Sequence, residues 1–217
     1  AAGSPAEGGT ITLPETTIAI NNSCFAQLDC AFTINWEELP RLVRIYDSAF
    51  AQSGLTGVIH PVQSTYMMLI RNAAFYQTNI VEADFSDVSL EDYGESALAD
   101  CKRLQSVSFG WVCRKSDGEF MSIIPNGSFY GCDALTDLYF TTEEPIGLLT
   151  WYPHAPFQFA DGIYDRNIRI HVPEGCEERY FRAWKPMFIG YTDEEIENGT
   201  YYIDMSMFQL SWMELYF

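Results

Sequence analysis

The sequence predicts a mainly β solenoid with irregular or short helical segments: one right-handed stack of short repeats, a single parallel sheet along one side, and a C-terminal cap. Two observations lead there. Large apolar anchors stand at Phe25, Phe50, Phe75, Leu98 and Phe129, separated by 25, 25, 23 and 31 residues. Each anchor is followed by a small-residue loop and then by a short apolar triplet whose spacing reads as a kinked extended segment. A unit of this length cannot bury its apolar face alone, so it must be flanked by copies of itself.

In chain order, residues 1–9 form a Gly/Pro/Ala/Ser segment that reads as a linker or disordered terminus. Residues 10–190 are expected to form the repeat domain. Its lead-in, ITLPETTIAINNSCF, reaches the first anchor, Phe25, whose triplet is Ala31, Ile34 and Trp36. Phe50 pairs with Leu55, Val58 and His60, and Phe75 with Ile80, Ala83 and Phe85. Leu98 pairs with Leu104, Val107 and Phe109, and Phe129 with Leu135, Leu138 and Phe140. Cys101 and Cys132 follow the last two anchors at the same place, where a small buried free thiol suits a stack. The loops 86–95 and 110–120 vary in length, which the outer edge of a solenoid tolerates. Residues 141–166 read as an elongated last repeat. Glu174 to Trp184 reads as a short closing helix, with Tyr180 and Trp184 on one face. Residues 191–217 form an apolar, acidic tail expected to dock on the body.

Taken together, the units DSAFAQSGLTGV, SALADCKRLQSVSF and NGSFYGCDALTDLYF resemble the BspA-type leucine-rich repeats of bacterial surface proteins. The stretch NIRIHVPEGCEERYFRAW looks like the segment that closes such arrays. The resemblance spans about residues 10–190. It implies an extracellular or cell-surface bacterial protein, not an enzyme, that binds a protein ligand on another cell or in the extracellular matrix. His60 in place of an apolar strand residue, Leu98 in place of Phe, and the insertion Arg114–Glu119 depart from the pattern.

Composition is compatible with that reading. Twelve basic against thirty acidic residues give a net charge of −18, which argues against nucleic acid or an anionic membrane as partner. No apolar run is long enough for a transmembrane helix. The six cysteines show no CxxC pair or metal-ligand spacing, and sequons stand at Asn21, Asn126 and Asn198. No catalytic motif emerges: the three histidines are scattered, and neither a phosphate-binding loop nor an HExxH sequence is present. No cofactor or metal is expected.

Binding is therefore expected on the sheet. Side chains alternate along a strand, so residues between the inward triplets face outward. Outward rows would carry Thr33 and Asn35, Gly57 and Ile59, Glu82 and Asp84, Ser106 and Ser108, Asp137 and Tyr139, Arg169 and His171. The carboxylates suit a basic segment of a partner, with the aromatic as anchor. Three alternatives use the same residue types: a carbohydrate module built on aromatics such as those of WYPHAPFQF (151–159), a calcium site at Glu82, Asp84 and Asp137, and a hydrolase using a carboxylate pair.

Overall fold

The computed structural model of the protein describes residues 8–62, 67–112, 114–116, 119–121, 123–125, 127–148, 169–180 and 183. Each coil runs through a strand, a second shorter strand and a tight turn that carries the anchor. The strands are β1 (Gly9–Ile11), β2 (Ala19–Ile20), β3 (Phe32–Ile34), β4 (Arg44–Ile45), β5 (Thr56–Ile59), β6 (Met68–Ile70), β7 (Asn79–Phe85) and β8 (Leu90–Tyr93). They continue with β9 (Ser106–Phe109), β10 (Arg114–Ser116), β11 (Glu119–Met121), β12 (Ile123–Ile124), β13 (Asp137–Phe140), β14 (Gly147–Leu148) and β15 (Arg169–His171).

The expected parallel sheet is present, in the order β15-β13-β9-β7-β5. A bridge between Phe32 and Leu55 carries it on toward the β1–β3 pair. The opposite side, read from sequence as irregular loops, carries a second parallel sheet ordered β2-β4-β6-β8. Its strands are two to four residues long, too short for a period-two pattern to declare itself. The insertion in one repeat folds as an antiparallel hairpin, β10 against β11.

The turns explain why the anchors point inward. Each anchor sits midway between two residues with left-handed backbone: Ser23 and Gln27 around Phe25, Ser48 and Gln52 around Phe50, Ala73 and Gln77 around Phe75, Ser96 and Asp100 around Leu98. Around Phe129 the same places are held by Gly127 and Gly131. A left-handed conformation costs an L-residue about 1–2 kcal/mol, and hydrogen bonds between coils offset that cost. Ser23, Phe25 and Gln27 donate their N–H groups to the carbonyls of Asp47, Ala49 and Ala51 at 3.1, 2.8 and 2.9 Å. The next turn repeats this, from Ser48, Phe50 and Gln52 to Asn72, Ala74 and Tyr76. Side-chain amides form a parallel ladder, from Gln27 to Gln52 at 3.4 Å, Gln52 to Gln77 at 3.0 Å and Gln77 to Asp100 at 3.4 Å. It ends at Gly131, where a Cβ would lie 2.1 Å from Asp100 Oδ1. Lys102 sits there as well, 3.2 Å from Asp100 and 3.0 Å from Asp133.

Inside, Phe25, Phe50 and Phe75 stack in parallel, with centroids 5.1 and 5.4 Å apart. Phe50, Phe75, Leu98, Leu104, Phe129, Leu135 and Leu138 are all buried, while Phe25 at the first coil is half-buried. Three residues after the anchors runs a buried row of small polar groups: Ser53, Thr78, Cys101 and Cys132. The thiol of Cys101 donates to the Phe75 carbonyl, and that of Cys132 to the Leu98 carbonyl, both at 3.1 Å. Each cysteine thus ties its coil to the anchor carbonyl of the coil before. Five cysteines, at 24, 30, 101, 132 and 176, are free.

Three local expectations are corrected. Phe32, not Ala31, occupies the first inward place of its strand: Phe32 is buried and pairs with Leu55, while Ala31 is half-exposed. In β5 the register slips between Gly57 and Val58, so Ile59 faces inward and Val58 outward. The stack also starts at Gly9, which pairs with Phe32. At the C-terminal end a helical segment begins at Glu177, and the buried Tyr180 ring packs 5.8 Å from that of Phe140. Trp184, the stretch 151–159 and the 191–217 tail lie outside the described residues.

Candidate binding face

The five-stranded sheet aligns outward side chains into two rows. Register places Val58, Glu82, Ser106, Asp137 and Arg169 on one line. Asp84, Ser108, Tyr139 and His171 form the next, extended by His60, whose Nε2 lies 3.9 Å from Asp84. Eight of the outward strand residues expected from sequence therefore lie together on this face: Glu82, Asp84, Ser106, Ser108, Asp137, Tyr139, Arg169 and His171. Ile59 does not belong to it, being fully buried. Its place is taken by Val58, 47% exposed. Gly57, at φ +83°, makes the bulge that causes the exchange. A glycine inside a strand pattern was the one signal in the sequence that announced it.

Asp137 shares the outward row, yet its neighbours cover it almost completely. Arg169 Nη2 donates to one carboxylate oxygen at 2.6 Å, Thr136 Oγ1 donates to the same oxygen at 2.8 Å, and His171 Nε2 lies 2.8 Å from the other. Burial pushes the Asp137 carboxyl up, but hydrogen bonds with Arg169, His171 and Thr136 outweigh it and hold the group below its ordinary value. Asp137 is thus an internal strut, and its carboxylate is occupied.

The rest of the face is half-buried to exposed. Tyr139 is 38% exposed, and one side of its ring stacks on the His171 imidazole at 4.1 Å, 12° from parallel. Burial raises the Tyr139 hydroxyl, and the charges of Asp137 and then Glu82 add to that, with Arg169 opposing. Glu82 makes no hydrogen bond or ion pair among the described residues. Asp84 is oriented by Ser86, whose N–H and hydroxyl donate to Oδ1 at 3.0 and 2.6 Å. Around His60 stand Glu37 at 3.9 Å and Asp87 at 3.5 Å, two carboxylates whose contribution to this face the strand pattern did not disclose.

The face is therefore acidic from the Glu37 turn to β7, small and polar at β9, and aromatic and basic at β13 and β15. Among the described residues no group of three or more His, Cys, Asp or Glu side chains is placed to hold a metal ion. No helix among them is long and apolar enough to cross a membrane.

Comparison with protein-family models matches residues 9–119 to the BspA type leucine rich repeat region, in six copies. The sheet continues beyond the matched residues, through β13 and β15, in unbroken register. Neither the comparison with curated proteins nor that with solved structures gives a match.

Proposed function

Because this chain belongs to the BspA-type leucine-rich repeat family, whose repeats support protein interaction, we propose that it is a bacterial cell-surface or secreted protein, acting without catalysis, that binds a protein on another cell or in the extracellular matrix. The outward face of the five-stranded sheet is the recognition surface. One observation carries this: Glu82, a carboxylate with no ion pair or hydrogen bond among the described residues, shares a sheet face with two exposed groups, Val58 and Tyr139. Hydrophobic and aromatic anchors beside uncompensated charge are what a protein partner of opposite charge would bury.

The test is capture of surface and matrix proteins by wild type and by a Glu82→Lys, Asp84→Lys double variant of unchanged circular dichroism. Asp137 is left in place because its loss would unpair Arg169 and His171. A protein retained by wild type and lost by the variant supports the reading. Equal capture by both moves the site off this face.

A further inference from the structure

The open side of the Tyr139 ring defines a smaller site within this face. His171, on β15, covers one side of the ring. The other side therefore looks across β9, where the row holds only Ser108, with Ser106 beside it. Beyond β9, on the same two rows, stand Asp84 and Glu82. Neighbouring strands lie about 4.8 Å apart, so β13 and β7 are separated by roughly 10 Å, with two serines as the floor between them. The result is a slot with an aromatic wall on one side and carboxylates on the other.

We propose that this slot is a subsite for an arginine side chain of the protein partner, its guanidinium stacked on the free side of Tyr139 above Ser108 and its N–H edge directed to Glu82. The assignment rests on the sheet face being the recognition surface, and it adds the chemistry of the group recognised. A cation over an aromatic face is attracted by the ring's electron density. A guanidinium is flat, so it stacks while its N–H donors, lying in its own plane, stay free for a carboxylate. Glu82 stands on β7 in the row next to that of Tyr139, with β9 between them, and its charge reaches the Tyr139 hydroxyl. Asp84, held by Ser86 through one oxygen, adds a second negative charge across the slot. An ammonium is a compact point charge that cannot cover the ring in the same way, and an anion would be repelled by both carboxylates.

The experiment titrates the full chain with the peptide acetyl-Gly-Arg-Gly-Arg-Gly-amide. The matched peptides carry lysine or citrulline in place of arginine, and binding is followed by calorimetry and by the Tyr139 ring resonances. The arginine peptide should bind at least tenfold more tightly than the citrulline peptide and several-fold more tightly than the lysine peptide. Tyr139→Leu and Glu82→Gln should each weaken it at least fivefold, and Ser108→Tyr, which fills the slot, should abolish it. Equal binding of the arginine and citrulline peptides, or equal binding to wild type and a folded Tyr139→Leu variant, overturns the assignment. If protein capture is lost on charge reversal while no arginine preference is found, the subsite falls and the sheet face stands as the recognition surface. If capture ignores the charge reversal, the role of the slot in partner recognition falls with that of the whole face.

Discussion

Phe50 and Phe75 lie with their rings 7° from parallel and their centroids 5.4 Å apart, the second of two stacked pairs in a column that Phe25 begins. Both rings are completely buried. Truncating either to alanine removes a large apolar surface and leaves a cavity that the neighbouring coils cannot close without losing strand register. Phe50→Ala or Phe75→Ala should each cost about 3–5 kcal/mol, read as a shift in the thermal or denaturant midpoint. Phe25→Ala should cost less, because its ring is half-exposed at the end of the stack. A folded Phe75→Ala protein of unchanged midpoint would contradict the stacked-anchor account.

The turn ridge predicts opposite effects at its two left-handed places, one on each side of the anchor. Gly131→Ala puts a Cβ into left-handed backbone and against Asp100 Oδ1, so it should destabilise by about 1–3 kcal/mol. Asp100→Ala in the same chain should recover part of that loss, a coupling that a double-mutant cycle reads directly. Ala73 already carries left-handed backbone at φ +53°. Replacing it with glycine should stabilise by up to about 1 kcal/mol, the relief of strain being reduced by the greater freedom of glycine in the unfolded chain.

Asp137 predicts a loss of stability in acid. Its folded-state carboxyl titrates below its unfolded value, so the unfolded chain takes up the proton first as pH falls. The contribution is complete above the unfolded value of about 3.9 and disappears as pH drops through the lower, folded value. Asp137→Asn should therefore be less stable than wild type at neutral pH, with the gap narrowing below about pH 4. Denaturant midpoints from pH 7 to pH 2 check this, and a gap that widens toward low pH would refute it.

The cysteines predict a sharp difference in reactivity. Burial pushes the Cys101 thiol up to about 11 and the Cys132 thiol well above its ordinary value, and both are enclosed. Cys24 and Cys30 are exposed. Alkylation of the native protein near pH 8, mapped by mass spectrometry, should label Cys24 and Cys30 and spare Cys101 and Cys132 until denaturant is added.

How far the sequence discloses all this depends on which force dominates at each residue. The anchors and the inward triplets of the last three repeats are legible because burial requires large apolar side chains at a fixed interval, and Leu98 serves as well as Phe in that role. The outward rows of β7, β9, β13 and β15 follow from strict alternation and agree with the register found. Alternation fails at β5, where the bulge at Gly57 turns Ile59 in and Val58 and His60 out. The left-handed turn positions are hidden, because Ser, Gln, Ala and Asp hold them in most coils and only Gly127 and Gly131 expose the need. Asp137 reads from sequence as an available carboxylate, since its occupation depends on Thr136 next to it and on Arg169 and His171 more than thirty residues later in the chain.

The turn ridge also makes the two ends of the solenoid unlike. The hydrogen bonds that link its turns all run in one direction, from N–H groups of one coil to carbonyls of the coil that follows. At the first coil this leaves the carbonyls of Asn22, Cys24 and Ala26 accepting no backbone hydrogen bond among the described residues. Aligned peptide dipoles give the ridge a negative pole there, much as they do at the carboxyl end of a helix. Two such ends cannot meet ridge to ridge, since oxygen would face oxygen. A contact made ridge to ridge along the axis would therefore join unlike poles, head to tail, the arrangement that extends as an open filament or closes as a ring.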